Sequence, residues 1–256
     1  MSDPVFYAAE GDLQHVTAGA VVVLTGSEAR HAAQVMRLGP GERVDVADGT
    51  GRRVSGSVLS AAPDRLEVTA ESVVDEPVPS PELVLVQALA KGDRDVLAIQ
   101  TATELGIDAV HPWQAERSIV RWKAEKAAKA IAKWDAALVA AAKQSRRARI
   151  PHTRSVFSGT GVADVAASGT VVLVLHEDAE TSLETALREA EHARQIERIV
   201  LVVGPEGGIS PAEIDALVQA GGVPCVLGPH VLRSSTAGPA AVAVIQQLLG
   251  RFGTRS

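Results

Sequence analysis

A run of alternating prolines divides the chain. Asp75-Glu76-Pro77-Val78-Pro79-Ser80-Pro81 places proline at every second position. Proline fixes φ and has no amide hydrogen, so residues 75–81 fit neither a helix interior nor a central strand and read as an extended linker. The sequence has a different rhythm on each side of it. Before the linker come the short apolar runs Val21 to Thr25, Arg43 to Ala47, Arg53 to Leu59 and Leu66 to Val74. Leu38-Gly39-Pro40-Gly41 and Asp48-Gly49-Thr50-Gly51 separate them as turns. Strands at this spacing predict a small β-barrel or sandwich over residues 1–74. Glu28 to Leu38 predicts one short helix with Ser27 as its N-cap.

Residues 82–256 alternate strand and helix instead. Continuous apolar runs at Leu83 to Leu89, Val171 to Leu175 and Ile199 to Val203 predict strands buried on both faces, as in a parallel sheet. Ile107 to His111, Ser118 to Val120 and Pro224 to Leu227 add further predicted strands. Helices are predicted over Asp93 to Leu105, Lys123 to Arg147, Leu183 to Ala193, Pro211 to Gln219 and Thr236 to Leu249. The fold class is therefore α/β, with a smaller β domain ahead of it.

Composition narrows the function. Apolar residues make up 46% and aromatics only 3%, so the core must be aliphatic. The single cysteine, Cys225, excludes an internal disulfide and a thiolate metal cluster, and it fits a reducing, cytoplasmic setting. No apolar run approaches the roughly 18 residues needed to cross a bilayer. Met1 to Glu10 shows no basic and apolar leader pattern. Zinc-protease, Cys-x-x-Cys and nucleophile-elbow patterns are absent, so no metal is expected. The net charge of −6 hides an asymmetry: Arg117 to Arg154 holds eleven Lys/Arg against two Asp/Glu. Lys123, Lys126, Lys129 and Lys133 share one helical face, and Lys143, Arg146, Arg147, Arg149 and Arg154 continue the charge. Such a stripe can neutralise RNA phosphates, although a lysine run is more often simply a solvated face.

Two constellations carry the chemistry. In the first, strand Val202-Val203 runs into Gly204-Pro205-Glu206-Gly207-Gly208, and a helix starts at Ser210-Pro211-Ala212-Glu213 with a capping box. The spacing is neither a dinucleotide fingerprint nor a P-loop. In the second, Val226-Leu227-Gly228-Pro229-His230-Val231-Leu232-Arg233 leads into Ser234-Ser235-Thr236-Ala237 and the closing helix. Loops at the carboxyl ends of α/β strands bind ligands, so two such loops on adjacent strand ends predict one shared pocket. His176 follows a buried strand and can face that pocket, but a core histidine is the simpler reading.

These residues, with His31-Ala32-Ala33-Gln34-Val35-Met36-Arg37, Gln100-Thr101-Ala102-Thr103-Glu104-Leu105-Gly106-Ile107, Glu116-Arg117-Ser118 and Ala142-Lys143-Gln144-Ser145-Arg146-Arg147, resemble the ribosomal RNA small subunit methyltransferase E family of the SPOUT superfamily. The resemblance covers nearly the full length. It implies an N-terminal PUA-like β-barrel that binds RNA and a C-terminal SPOUT domain tied in a deep trefoil knot. It further implies a homodimer that transfers a methyl group from S-adenosyl-L-methionine to N3 of a uridine in 16S rRNA, acting on the rRNA or the small ribosomal subunit. Carried onto this chain, the donor would lie against Leu175, His176, Val203, Gly204, Pro205, Glu206, Gly207, Gly208, Leu227, Gly228, Val231, Leu232, Ser235, Thr236 and Ala237. Arg233 would be catalytic, and Arg30, Arg37, Arg117, Arg146, Arg147 and Arg149 would hold RNA. Two positions depart from the family pattern: Ser235 stands where relatives carry an acidic residue, and Lys143 where glutamate is frequent. Ser235 keeps open a second reading, an RNA-binding assembly factor of the same fold without catalysis.

Overall fold

The computed structural model describes residues 3–9, 11–193 and 195–253. Met1, Ser2 and Glu10, part of the segment read above for a leader, lie outside the described residues. The chain forms two compact units, Met1–Val78 with Ala142–Ile150, and Pro79–Ala141 with Pro151–Ser256.

The first unit is a five-stranded sheet of β1 (Val5–Tyr7), β2 (Val21–Thr25), β3 (Arg43–Ala47), β4 (Arg52–Ala62) and β5 (Arg65–Asp75). Its order is β1-β3-β4-β5-β2, antiparallel except for β1 against β3. Alternation puts Val22, Leu24, Val44, Val46, Leu66 and Val68 on one buried face, where they pack with Phe6 and Leu13. The helix expected over Glu28 to Leu38 differs in both ends and form. Gly26, at φ +66°, turns the chain directly out of β2, so helix α1 (Gly26–Arg30) begins before Ser27, and that hydroxyl caps nothing. A π-turn over His31–Val35 follows, with Met36 N–H donating to His31 O at 2.9 Å. Arg37, left-handed at φ +56°, then ends it short of Leu38.

The segment 142–150 packs within this unit, although its position in the sequence suggested the later domain. Lys143 Nζ lies 2.8 Å from both carboxylate oxygens of Glu28 and 4.9 Å above the Phe6 ring. Tyr7 Oη donates to Arg147 O at 2.8 Å, and Arg53 Nη2 donates to Arg146 O at 3.0 Å. The Arg149 guanidinium donates to the carbonyls of Thr50 and Glu76. Gly51, at φ +117°, makes this possible, since a Cβ there would stand 2.3 Å from Arg149 Nη2.

The second unit is a parallel sheet of β6 (Glu82–Ala88), β7 (Ala109–Gln114), β8 (His152–Thr153), β9 (Phe157–Ser158), β10 (Thr170–Leu175), β11 (Arg198–Val203) and β12 (Val223–Cys225). The order is β12-β10-β11-β6-β7-β8, with β9 also pairing β7. The central strands are buried along nearly their whole length, as their unbroken Val/Leu/Ile runs require. Against the sheet pack α2 (Arg94–Glu104), α4 (Leu183–Ala193), α5 (Pro211–Gln219) and α6 (Ser234–Leu248), while α3 (Ala124–Gln144) belongs to this unit as far as Ala141. Ser118 to Val120 forms no strand. Ser118 N–H bonds back to Ala115 O, closing a turn there instead. Among the described residues no helix is long and apolar enough to cross a membrane.

Candidate functional site: loops gathered at the carboxyl edge of the parallel sheet

Parallel strands end on one edge, and the register shows which residues share it. Cys225, Leu175, Val203, Gln87 and Pro112 form one row of paired residues across β12, β10, β11, β6 and β7. Every loop named from the sequence as a ligand loop leaves just beyond this row. The glycine-rich loop Gly204–Gly208 follows β11. Gly208, at φ +75°, bends it, and its N–H bonds Pro205 O at 2.9 Å. The capping box is as the sequence predicts: Glu213 N–H reaches Ser210 Oγ at 3.4 Å, and Ser210 N–H reaches Glu213 Oε2 at 3.0 Å.

The two constellations are not on adjacent strands, as expected; β10 stands between β11 and β12. They meet for another reason. The segment that leaves β12 ends at Ser234, whose Oγ accepts from Gln87 Nε2 at 2.9 Å. Gln87 lies on β6, beyond β10 and β11. The strap Val226–Arg233 therefore crosses two strand ends, spanning about three inter-strand spacings, ~14 Å. At its start the strap is tied to the segment after β10, with Val226 N–H donating to Thr181 O at 2.9 Å and Leu183 N–H donating to Val226 O at 2.9 Å. Gln87 and Ser234 are both buried, so this bond is shielded from water. Neither residue was singled out from the sequence as an anchor. The signal was there: Gln87 is the one polar residue in the apolar run Leu83 to Leu89.

Arg233 is the N-cap residue of α6, in extended backbone conformation, and its carbonyl accepts from Thr236 N–H at 2.8 Å and Ala237 N–H at 2.9 Å. Its side chain is exposed and has no hydrogen-bond or ion partner among the described residues. Val231 is 76% exposed and Leu232 37%, an apolar surface on the same strap. The half-buried Ser235 and Ala237 and the exposed Thr236 lie in the first turn of α6. Glu206 leaves the glycine-rich loop to pair with Arg94 Nη1 at 3.1 Å, linking that loop to the start of α2. Asp95, buried at the same helix start, has its carboxyl pushed up by desolvation. Burial pushes the Cys225 thiol up to about 12, which marks a core thiol rather than a nucleophile.

The expected RNA contacts separate into groups. Arg30 and Arg37 are exposed on the first unit. Arg146 and Arg147 are half-buried there, with their carbonyls holding Arg53 and Tyr7. Arg149 is a correction, because its guanidinium is bound internally to two carbonyls and braces the first unit. Lys143, expected to strengthen the stripe, is neutralised by Glu28. Lys133 pairs with Asp93 at 2.6 Å, which leaves Lys123, Lys126 and Lys129 as the exposed lysines of the stripe with no ion pair among the described residues. Arg117 belongs to another place altogether: its Nη1 donates to Gly207 O at 3.2 Å, inside the strand-end cluster. Among the described residues no group of three or more His, Cys, Asp or Glu could hold a metal ion.

A parallel α/β sheet with glycine-rich loops at its carboxyl edge, preceded by a small mixed sheet, defines a ligand-binding α/β protein with an added β unit, and comparison with known proteins gives the class. Residues 77–246 match the family model of the RNA methyltransferase domain, and residues 24–71 match that of the RNA methyltransferase PUA domain. The chain is 42% identical over 239 residues to ribosomal RNA small subunit methyltransferase E of Mycobacterium bovis, covering 91% of this chain and 89% of that one. It is 29% identical to the Bacillus subtilis protein of the same name, over 93% and 94% of the two chains. Among solved structures, ribosomal RNA small subunit methyltransferase E from Neisseria gonorrhoeae bound to S-adenosyl methionine superposes with a TM-score of 0.82 at 29% identity, covering 96% and 98%. A putative methyltransferase from Legionella pneumophila in complex with the same cofactor gives 0.79 at 27% identity, covering 97% and 98%. The chain belongs to the ribosomal RNA small subunit methyltransferase E family.

Proposed function

We propose that the chain transfers a methyl group from S-adenosyl-L-methionine to N3 of a uridine in the decoding region of 16S rRNA, in the cytoplasm, during maturation of the small ribosomal subunit. The observation that carries this reading is the Gln87–Ser234 bond, which brings the end of the strap from β12 to β6, the strand beside β11 and its glycine-rich loop. The residues present fit the donor. Gly228 leaves backbone open to a ligand, and Val231 and Leu232 offer apolar surface for a flat base. Among the described residues Gln87 Oε1 is a buried polar atom without a partner, on the strand that anchors the strap. In this reading Leu175, His176, Val203 to Gly208, Leu227, Gly228, Val231, Leu232 and Ser235 to Ala237 hold the donor, which supplies an activated methyl on its sulfonium.

The protein's share of the chemistry is positioning and charge. Neutral uridine N3 carries a proton and is a poor nucleophile. Losing that proton spreads negative charge over N3 and the two flanking carbonyl oxygens. Arg233, fixed at its backbone by α6 and unpartnered at its side chain, stabilises that anion. With Ser235 in place of a carboxylate, the N3 proton passes to solvent water or hydroxide, and Arg233 favours its loss by stabilising the anion left behind. The base leaves any helical stack to reach the donor. Arg30, Arg37, Arg146 and Arg147, with the exposed lysines of α3, hold rRNA backbone. The residue ranges 1–74, 75–81 and 82–256, the trefoil knot and the homodimer implied by the resemblance belong to the same proposal. The exposed Val244 and Leu97 supply apolar surface for a second copy.

The test is a mass-mapped methylation assay with purified protein on naked 16S rRNA and on 30S particles. Methyluridine at a single position, modified at N3, supports the proposal. RNA binding without methyl transfer would instead favour the inactive assembly factor that Ser235 keeps open.

A further inference from the structure

We propose that Glu213 is a positioning residue that, with Arg117, clamps the loop after β7 against the glycine-rich loop and makes residues 115–118 a wall of the donor pocket. The inference rests on the reading above, in which the glycine-rich loop holds S-adenosylmethionine.

Glu213 is fully buried, and among the described residues its carboxylate enters no ion pair. Burying a charge without a counter-charge is costly, so the site must repay it through hydrogen bonds and the helix dipole. One oxygen serves the capping box, accepting from Ser210 N–H at 3.0 Å. An ordinary capping box needs no more than that and forms readily at an exposed helix start. Here the other oxygen accepts from Glu116 N–H at 2.7 Å, a residue 97 positions away. Glu116 follows β7 and Glu213 follows β11, and β6 lies between those strands. One carboxylate therefore ties together two loops that the sheet alone holds two strands apart.

The neighbouring residues extend the clamp. Arg117 Nη1 donates to Gly207 O at 3.2 Å. A Cβ on Gly207 would meet Arg117 Cβ at 3.2 Å and Arg117 O at 3.4 Å, so the loops already touch. Behind them, Arg121 Nη2 donates to Glu116 O at 2.7 Å and Trp122 N–H to Gln114 Oε1 at 2.7 Å, which stiffens the β7 loop. The glycine-rich loop is thus held on one side by Glu206 and Arg94 and on the other by Arg117, with Glu213 anchoring its base. A glutamine at 213 has the same size but only one acceptor oxygen. One of the two backbone N–H groups would then face an amide donor, and the clamp would open.

The experiment is calorimetric titration of S-adenosylmethionine, without RNA, into the full-length wild type, Glu213→Gln and Arg117→Ala, with steady-state kinetics and thermal unfolding of each. The proposal predicts about tenfold weaker donor binding for Glu213→Gln and about threefold for Arg117→Ala. The donor KM should rise in step, while kcat of Glu213→Gln at saturating donor stays within about twofold. A folded Glu213→Gln variant with a lowered unfolding temperature and donor affinity within twofold of wild type would overturn the proposal, showing a purely structural carboxylate. If Glu213→Gln fails to fold, Arg117→Ala decides by itself, because its side chain is exposed and its loss tests the same contact. Absence of donor binding by the wild type would overturn the functional reading itself. Equal binding by all three proteins would overturn only the clamp.

Discussion

One set of basic residues in each unit shows two opposite uses of charge. In the first, Arg53 is held between Asp45 and Glu76 at 2.8 Å each, Arg52 pairs with Asp75 at 2.8 Å, and Arg149 grips two backbone carbonyls. In the second, Arg233 stands exposed on a fixed backbone with no partner among the described residues, and Lys123, Lys126 and Lys129 face solvent. The first arrangement joins distant segments; the second leaves charge available to a ligand. Sequence charge alone does not tell them apart, because the difference lies in which carboxylate or carbonyl the fold brings within reach.

The largest expected effect sets Arg233 apart from every paired arginine. Arg233→Ala should lower methyl transfer by about 100-fold or more, the scale for losing a preorganised group that stabilises a developing anion. Donor affinity should stay within about twofold, since the side chain lies free of the loop backbone. Turnover near wild type would remove Arg233 from the chemistry. Arg53→Met should act the other way, costing about 2 kcal/mol of stability because Asp45 and Glu76 lose a shared, largely buried cation. Denaturant unfolding measures it, and a change within experimental error would show that these pairs carry no weight.

A finer test separates exposed lysines from internally bound arginine. Replacing Lys123, Lys126 and Lys129 together by alanine should flatten the salt dependence of RNA binding by about 2 in log–log slope. Arg149→Ala should lower stability and leave that slope unchanged. The reverse pattern would restore Arg149 to the RNA surface. The smallest effect is spectroscopic. Tyr7, the single tyrosine, is half-buried with its hydroxyl on Arg147 O, and burial raises its pKa to about 12. Between about pH 10 and 12 the unfolded chain has lost this proton while the folded chain keeps it, so stability falls as pH rises through that window. Absorbance titration at alkaline pH should show a phenolate midpoint near 12. A midpoint near 10 would mean that segment 142–150 does not cover Tyr7.

Much of this was legible in the residues. The unbroken apolar strands, the helices Leu183–Ala193 and Pro211–Gln219, and the Ser210–Glu213 capping box follow from periodicity and side-chain chemistry, which are local. What escaped is non-local. Nothing near Glu116 in sequence announces Glu213, and nothing near residues 142–150 announces Glu28, Tyr7 or Thr50. The order β12-β10-β11-β6 likewise depends on which strand inserts between which, and that pattern is not written in any one strand. Gln87 lies between these cases: a polar residue in a buried strand is visible, but its partner Ser234 is not.

Amide hydrogen exchange of the purified protein, with and without S-adenosylhomocysteine, tests the central assignment most directly. The account predicts added protection over Gly204–Gly208 and over the strap from Val226 to Arg233, with the strands of the first unit unchanged. Protection confined to other segments, or none at saturating ligand, would contradict it.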